Sequence, residues 1–172
     1  MVDFLVIAAR QTKRGITEIY PKFIIKRSSD LMIRGGDFYA IWIEERGLWS
    51  TDEQDALQLI DRELDQYAAE NRQRFETMNV HVLHMWDAES GMIDSWHKYC
   101  QRQMRDNFHM LDEKLIFSNA PTNKHDYASK RLDYPLEPGP MPGYEALIST
   151  LYSEEERRKI EWAIGAVVSG DS

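Results

Sequence analysis

The sequence predicts an α+β fold: N-terminal β-hairpins packed on helices, then a mainly helical C-terminal half with a long proline-rich loop. Three observations carry this. The first 49 residues alternate short β-branched and aromatic runs with glycine turns. Residues 52–74 hold an apolar stripe at helical spacing behind a capping signal. The last stretch, Tyr152–Ser172, opens with another capping signal and repeats apolar residues every three to four positions. A boundary near residue 76 is expected, giving an α+β subdomain with a basic edge over 1–76 and a mainly helical one over 77–172.

In order, Phe4–Ala9 is an apolar run that suits a buried strand or a short helix, followed by Arg10, Lys13 and Arg14 and a turn at Gly15. Ile16–Ile25 nearly alternates and reads as strand; Pro21, which has no N–H, demotes part of it to an edge. Leu31–Arg34, Gly35-Gly36 and Phe38–Ile43 form a strand–turn–strand signal. Glu44–Gly47 then turns the chain back into Leu48-Trp49. Ser50–Glu53 and Thr51–Gln54 are overlapping capping boxes, and Ala56, Leu57, Ile60, Leu64, Tyr67 and Ala68 make the helical stripe behind them. Its outer face (Asp55, Asp61, Glu63, Asp65, Glu70) is expected to be solvated.

Asn79–Trp86 fits strand or helix. Ile93, Trp96, Tyr99, Cys100 and Gln103 predict a helix beginning near Asp87. Leu111–Phe117 is short and apolar, and residues 118–143 hold Pro121, Pro135, Pro138, Pro140 and Pro142 in one loop. In the final helix, Ser153 and Glu156 make a capping box, Glu154–Glu156 suit the dipole, and Arg157–Lys159 can pair back one turn. Ile160, Ala163, Ile164, Val167 and Val168 share a face, and Gly170 can end the helix in the left-handed region. That apolar face needs a cover, so the end of the chain is expected to be a cut edge of a longer polypeptide.

A chain of 172 residues, 42% apolar and 29% charged, has the composition of an ordinary globular protein. The net charge of −8 argues against a surface that grips nucleic acid all over. Cys100 is the single cysteine, which excludes an internal disulfide and suits a reducing cytosol. No apolar run approaches the roughly 20 residues that span a bilayer. Asp3 and the lack of a basic leader make Met1–Arg10 a poor signal peptide, so a cytoplasmic protein with no membrane partner is expected.

Two constellations have weak chemistry. Asp87-Ala88-Glu89 has the D-x-E form with which primases of the archaeo-eukaryotic type hold two divalent metals, with His97, His109 or His125-Asp126 available for further roles. Asp87 serves equally as a helix N-cap. His81, His84, His97 and Cys100 have ligand-like spacing for zinc, yet structural zinc sites usually carry more cysteine, and ordinary packing is the preferred reading. No catalytic or metal-binding residue is therefore assigned.

The basic cluster is stronger. From Arg10 to Arg34 there are seven cations (Arg10, Lys13, Arg14, Lys22, Lys26, Arg27, Arg34) against Glu18 and Asp30. In an acidic protein this reversal of the local field attracts phosphates, and Tyr20 and Phe23 among them could stack on bases. The alternative is a basic edge that discourages strand pairing. Lys130 and Arg131, with Lys124, Tyr127 and Tyr134 nearby, form a second candidate.

ALISTLYSEEERRKIEWAIGAVVSGDS, residues 146–172, resembles the segment that precedes the ATP-binding loop in phage and poxvirus-type primase–helicases of helicase superfamily 3. KLIFSNAPTNKHDYASKRLDYPLEPGPMP, residues 114–142, is similar to that family's irregular linker. The resemblance implies an N-terminal accessory domain of a DNA replication helicase, non-catalytic in itself. ATP and Mg²⁺ then belong to a downstream ATPase domain, since no G-x-x-x-x-G-K-[ST] occurs in this chain, which itself needs no cofactor. The implied partners are that downstream domain, further subunits of a homo-oligomer, and single-stranded or forked DNA, in the host cytoplasm if phage-encoded. Ile160, Ile164 and Val167 are the expected interface. Two other classes stay open: a diverged metal-dependent primase or nuclease using Asp87 and Glu89, and a free-standing phage interaction protein.

Overall fold

Gly15 and Gly47 turn the chain between strands in the first 49 residues, whereas Pro21 lies within a strand. In the computed structural model, which describes residues 2–24, 28–34, 38–87, 89–102 and 109–170, contacts cluster into two compact units, Met1–His109 and Met110–Ser172. The first unit holds two three-stranded sheets and the longest helix among the described residues. The second has helices as its regular structure. The α+β architecture expected from the sequence is therefore present.

The opening apolar run is strand β1 (Leu5–Gln11), and Gly15, at φ +76°, takes the left-handed turn into β2 (Thr17–Phe23). The two pair antiparallel from Leu5↔Phe23 to Gln11↔Thr17. β3 (Leu31–Arg34), β4 (Phe38–Ile43) and β5 (Leu48–Ser50) form a second antiparallel sheet in that order. Trp42 and Trp49 face each other across β4 and β5, with ring centroids 5.8 Å apart. Gly35 and Gly36 lie outside the described residues.

The long helix is shorter than expected and is capped differently. α1 spans Glu53–Glu70 and a separate turn, α2, spans Arg72–Phe75. Neither predicted capping box forms. Asp52 is the N-cap and accepts from the Gln54 N–H, while the Ser50 hydroxyl donates to Asp55. Ala56, Leu57, Ile60 and Leu64 are buried as the stripe requires, with Tyr67 and Ala68 at its margin.

The acidic face of α1 is not all solvated. Asp55 accepts from Arg46 at 2.7 Å and from Ser50 at 2.6 Å. Asp61 accepts from the Met85 N–H at 2.6 Å and the Trp86 N–H at 3.4 Å, closing the turn that follows strand β6 (Val80–Val82). Asn79–Trp86 thus resolves as a short strand and a turn, with β6 parallel to β2 at Thr17–Ile19. Burial raises the Asp61 carboxyl above its usual value against the pull of those amides. A raised carboxyl contributes stability that is present below its unfolded value near 3.9 and lost as pH climbs through the folded one. Asp61→Ala, which strands the Met85 amide, should cost about 1–3 kcal/mol. Asp61→Asn keeps an acceptor and cannot ionise, so its stability relative to the parent should improve as pH rises above about 4. Urea melts of the three proteins at several pH values check both signs.

α3 begins at Met92 (Met92–Arg102), not near Asp87. The reason is local: Gly91 is left-handed at φ +69°, and the Ser90 hydroxyl accepts from the Met92 N–H. Its inner face sets Trp96, Tyr99 and Cys100 into one core with Phe4, Ile19, Ile41, Ile60 and Leu64, so both sheets and α1 close on the same helix.

In the second unit the proline-rich loop is stitched by side chains. Asp112 accepts from the Ser129 and Lys130 amides, and Asn119 exchanges two hydrogen bonds with the Leu136 backbone. Asn123 and Asp126 cap a 3-10 turn at Lys124–Asp126, and Lys114 pairs with Asp126. A helix that the sequence reading did not expect, α4 (Pro142–Leu151), follows. The final helix, α5, spans Glu154–Ser169. Its Ser153–Glu156 capping box forms, Arg158 and Lys159 pair back to Glu154 and Glu155, and Gly170 ends it at φ +74°. A Cβ at Gly170 would lie 2.8 Å from the Lys114 Cβ and 2.9 Å from the Glu113 carbonyl, so only glycine fits there. Among the described residues no helix is long and apolar enough to cross a membrane.

A candidate anion-binding groove and an open helix face

β6 stops at Val82, so beyond Ile19 no described strand pairs with β2 on that side. Pro21 sits in this stretch, opposite Ile7 of β1, which agrees with the half-edge strand expected from it. α3 packs against β2, and a groove of about 470 Å³ opens between them. Four cations line it: Arg10 and Lys22 from the strands, Lys98 and Arg102 from the helix. Among the described residues no aspartate or glutamate does.

The cations are not equivalent. Arg10 is already engaged: its Nε donates to Glu18 at 2.6 Å, and its guanidinium lies 5.2 Å from the Tyr20 ring centroid. Lys22, Lys98 and Arg102 are exposed and have no ion-pair partner among the described residues. Aromatic rings supply the wall. Phe23 is half-buried, with centroids 5.1 Å from Trp96 and 5.2 Å from Tyr99. Burial raises the Tyr99 phenol well above its ordinary value, so it stays neutral and adds no negative charge to the groove.

The structure therefore brings together only part of the predicted basic cluster. Arg10 and Lys22 reach the groove, whereas Lys13 and Arg14 are exposed in the β1–β2 turn and do not line it. Lys26 and Arg27 lie outside the described residues. Lys130 and Arg131 belong to the second unit; Lys130 is exposed, but Arg131 is half-buried and donates to the Thr122 hydroxyl at 2.7 Å. Lys98, Tyr99 and Arg102 were not singled out from the sequence as ligand-binding residues. The available signal was the Ser95, Lys98 and Arg102 row, a polar stripe at helical spacing beside the apolar one.

The metal constellations come apart. Asp87 and Glu89 lie after β6 has ended, in a turn where Asp87 Oδ1 accepts from the Glu89 N–H at 3.0 Å. His84 pairs with Asp65 at 2.7 Å and His97 with Glu53 at 2.6 Å, each tying its segment to α1. Cys100 is buried, and burial pushes its thiol up to about 12. Among the described residues no group of three or more histidines, cysteines or carboxylates is placed to hold a metal ion.

α5 is the second feature. None of its residues is buried. Ile164 is 52% exposed and Val167 69%, with Ile160 half-buried on the same row. Trp162, missed in the sequence reading, is 76% exposed and lies about 200° around the helix from Ile164 at the usual 100° per residue. Apolar side chains thus leave α5 in two directions. α4 adds Leu147 and Leu151 in the open, and Arg157 clasps the two helices through Glu145 at 2.7 Å.

No protein-family model, no curated protein and no solved structure matches this chain.

Proposed function

We propose that this chain is a non-catalytic accessory domain of a phage replicative helicase or primase–helicase. It joins subunits, or positions DNA, ahead of an ATPase motor carried by polypeptide downstream of Ser172. The observation that carries this reading is α5, a well-capped helix with apolar side chains exposed on opposite sides. Large apolar side chains left exposed on a well-capped helix mark a surface for another polypeptide to cover. Ile160, Ile164 and Val167 are one contact row, and Trp162 is the other. The resemblance of residues 146–172 to the segment before the ATP-binding loop supports an ATPase motor as that covering polypeptide. The DNA-positioning half of the role is supported by the groove between β2 and α3. The alternative of a metal-dependent primase or nuclease on Asp87 and Glu89 gains no support from the turn that holds them.

ATP hydrolysis tests the placement. The purified chain should show none, with or without single-stranded DNA, whereas polypeptide continued past Ser172 should hydrolyse ATP when a strand is added. Robust hydrolysis by residues 1–172 alone would overturn the reading.

A further inference from the structure

We propose that the groove between β2 and α3 is a site for one nucleotide unit, a nucleobase with its phosphate, either free or within a single strand. The assignment rests on the DNA-positioning half of the role above and is independent of the docking of α5. Size is the first argument: about 470 Å³ accommodates one base and its phosphate, not a tract of them.

Charge is the second. In a chain of net charge −8, Lys22, Lys98 and Arg102 border one depression, and among the described residues none of the three has an ion-pair partner and no acid lines it. Lys98 and Arg102 stand one helical turn apart on α3, about 6 Å along its axis, so both can reach one phosphate group. Arg102 adds a planar fork suited to two phosphate oxygens. Arg10 contributes differently. Tied to Glu18 and laid over Tyr20, it fixes that ring and leaves the phosphate to the other three.

The wall is the third. Phe23 lines the groove and is held by Trp96 and Tyr99, so a base stacking on it immobilises no loose side chain. An anion site alone needs no such surface. Stacking beside unneutralised cations is the recognition chemistry of a nucleotide.

The test is a titration of the whole chain against a fluorescent oligothymidylate, with thymidine monophosphate and inorganic phosphate as competitors, repeated across salt concentrations. Lys98→Glu with Arg102→Glu should weaken binding at least tenfold. It should also flatten the log–log salt slope by about 0.7, the loss of one phosphate contact on a single strand. Lys98→Gln with Arg102→Gln should act in the same direction, less strongly. Phe23→Leu should weaken binding with the slope unchanged, because stacking releases no counterions. Arg72→Glu with Arg74→Glu, an equal charge change on the exposed α2, should leave affinity within twofold.

Competition by thymidine monophosphate would extend the site to free nucleotides. Displacement by unlabelled strand alone would confine it to strands. Either supports the assignment. Equal competition by inorganic phosphate would overturn it in favour of a plain anion site, and failure of strand and nucleotide alike would also overturn it. Strand binding abolished by Lys13→Glu with Arg14→Glu, but untouched at Lys98 and Arg102, would overturn this site while leaving DNA positioning intact.

Discussion

Trp96→Ala is expected to cost about 3–5 kcal/mol, the largest loss from any single side chain in the first unit. Trp96 is wholly buried, and four rings meet it from different parts of the fold. Phe4 precedes β1 and lies 6.0 Å away; Phe23 of β2 lies 5.1 Å away; Tyr39 of β4 and Tyr99 of α3 are both at 5.7 Å. Both sheets are fastened to α3 through this one indole, so truncation leaves a cavity that no single element can move to fill. Trp96→Phe should be much milder. It keeps a ring in the cluster and gives up only the indole N–H, which lies beside Tyr39. Urea unfolding followed by near-ultraviolet dichroism compares the three proteins. An alanine variant that loses less than about 1 kcal/mol would mean the ring cluster is not the centre of the core. Because Phe23 also walls the groove, the alanine variant should lose oligonucleotide binding even under conditions where it stays folded.

What was legible in the sequence follows from how local each signal is. Strand alternation, the Gly15 turn and the Ser153–Glu156 box with Gly170 each involve neighbours within a few residues, and each appears where expected. The start of α1 was ambiguous because Ser50, Thr51 and Asp52 are all good caps. A hydrogen bond from Ser50 to Asp55 removed one candidate, and nothing in the capping rules foretells that. α4 was missed for a different reason. Pro142 was grouped with the loop prolines, although proline in a first turn is favourable, and Leu147 and Leu151 give no buried stripe to detect.

The groove was half legible. Arg10, Tyr20, Lys22 and Phe23 are near one another in sequence, so they declared themselves as a cluster. Lys98 and Arg102 come to it only because α3 packs against β2, a contact across more than 70 residues that no local pattern encodes. Asp61 is similar. Its place in an acidic run suggested a solvated face, and only the return of the chain at Met85 and Trp86 turned it into a backbone acceptor. Long-range hydrogen bonds have no periodicity to read.

Ile164→Lys with Val167→Lys is expected to leave the melting of residues 1–172 nearly unchanged and, on the proposed placement ahead of a motor, to abolish assembly of polypeptide continued past Ser172. The first half follows from exposure: side chains already in water lose little when replaced, typically less than about 0.5 kcal/mol. Lysine is chosen over aspartate because a cation near the C-terminal end of α5 suits the helix dipole, so helix stability is not the variable being changed. The second half follows from what docking would bury. Covering an isoleucine and a valine yields about 1.5–3 kcal/mol each, so placing two charges there should weaken association at least 100-fold. Trp162→Lys, on the other side of the helix, then separates the two contacts. If one row meets the motor of the same chain and the other meets a neighbouring subunit, one variant should lower the subunit number in sedimentation. The other should lower the melting temperature of the motor without changing that number. Equal, wild-type assembly in both variants would mean that the exposed faces of α5 are not where this domain joins its partners.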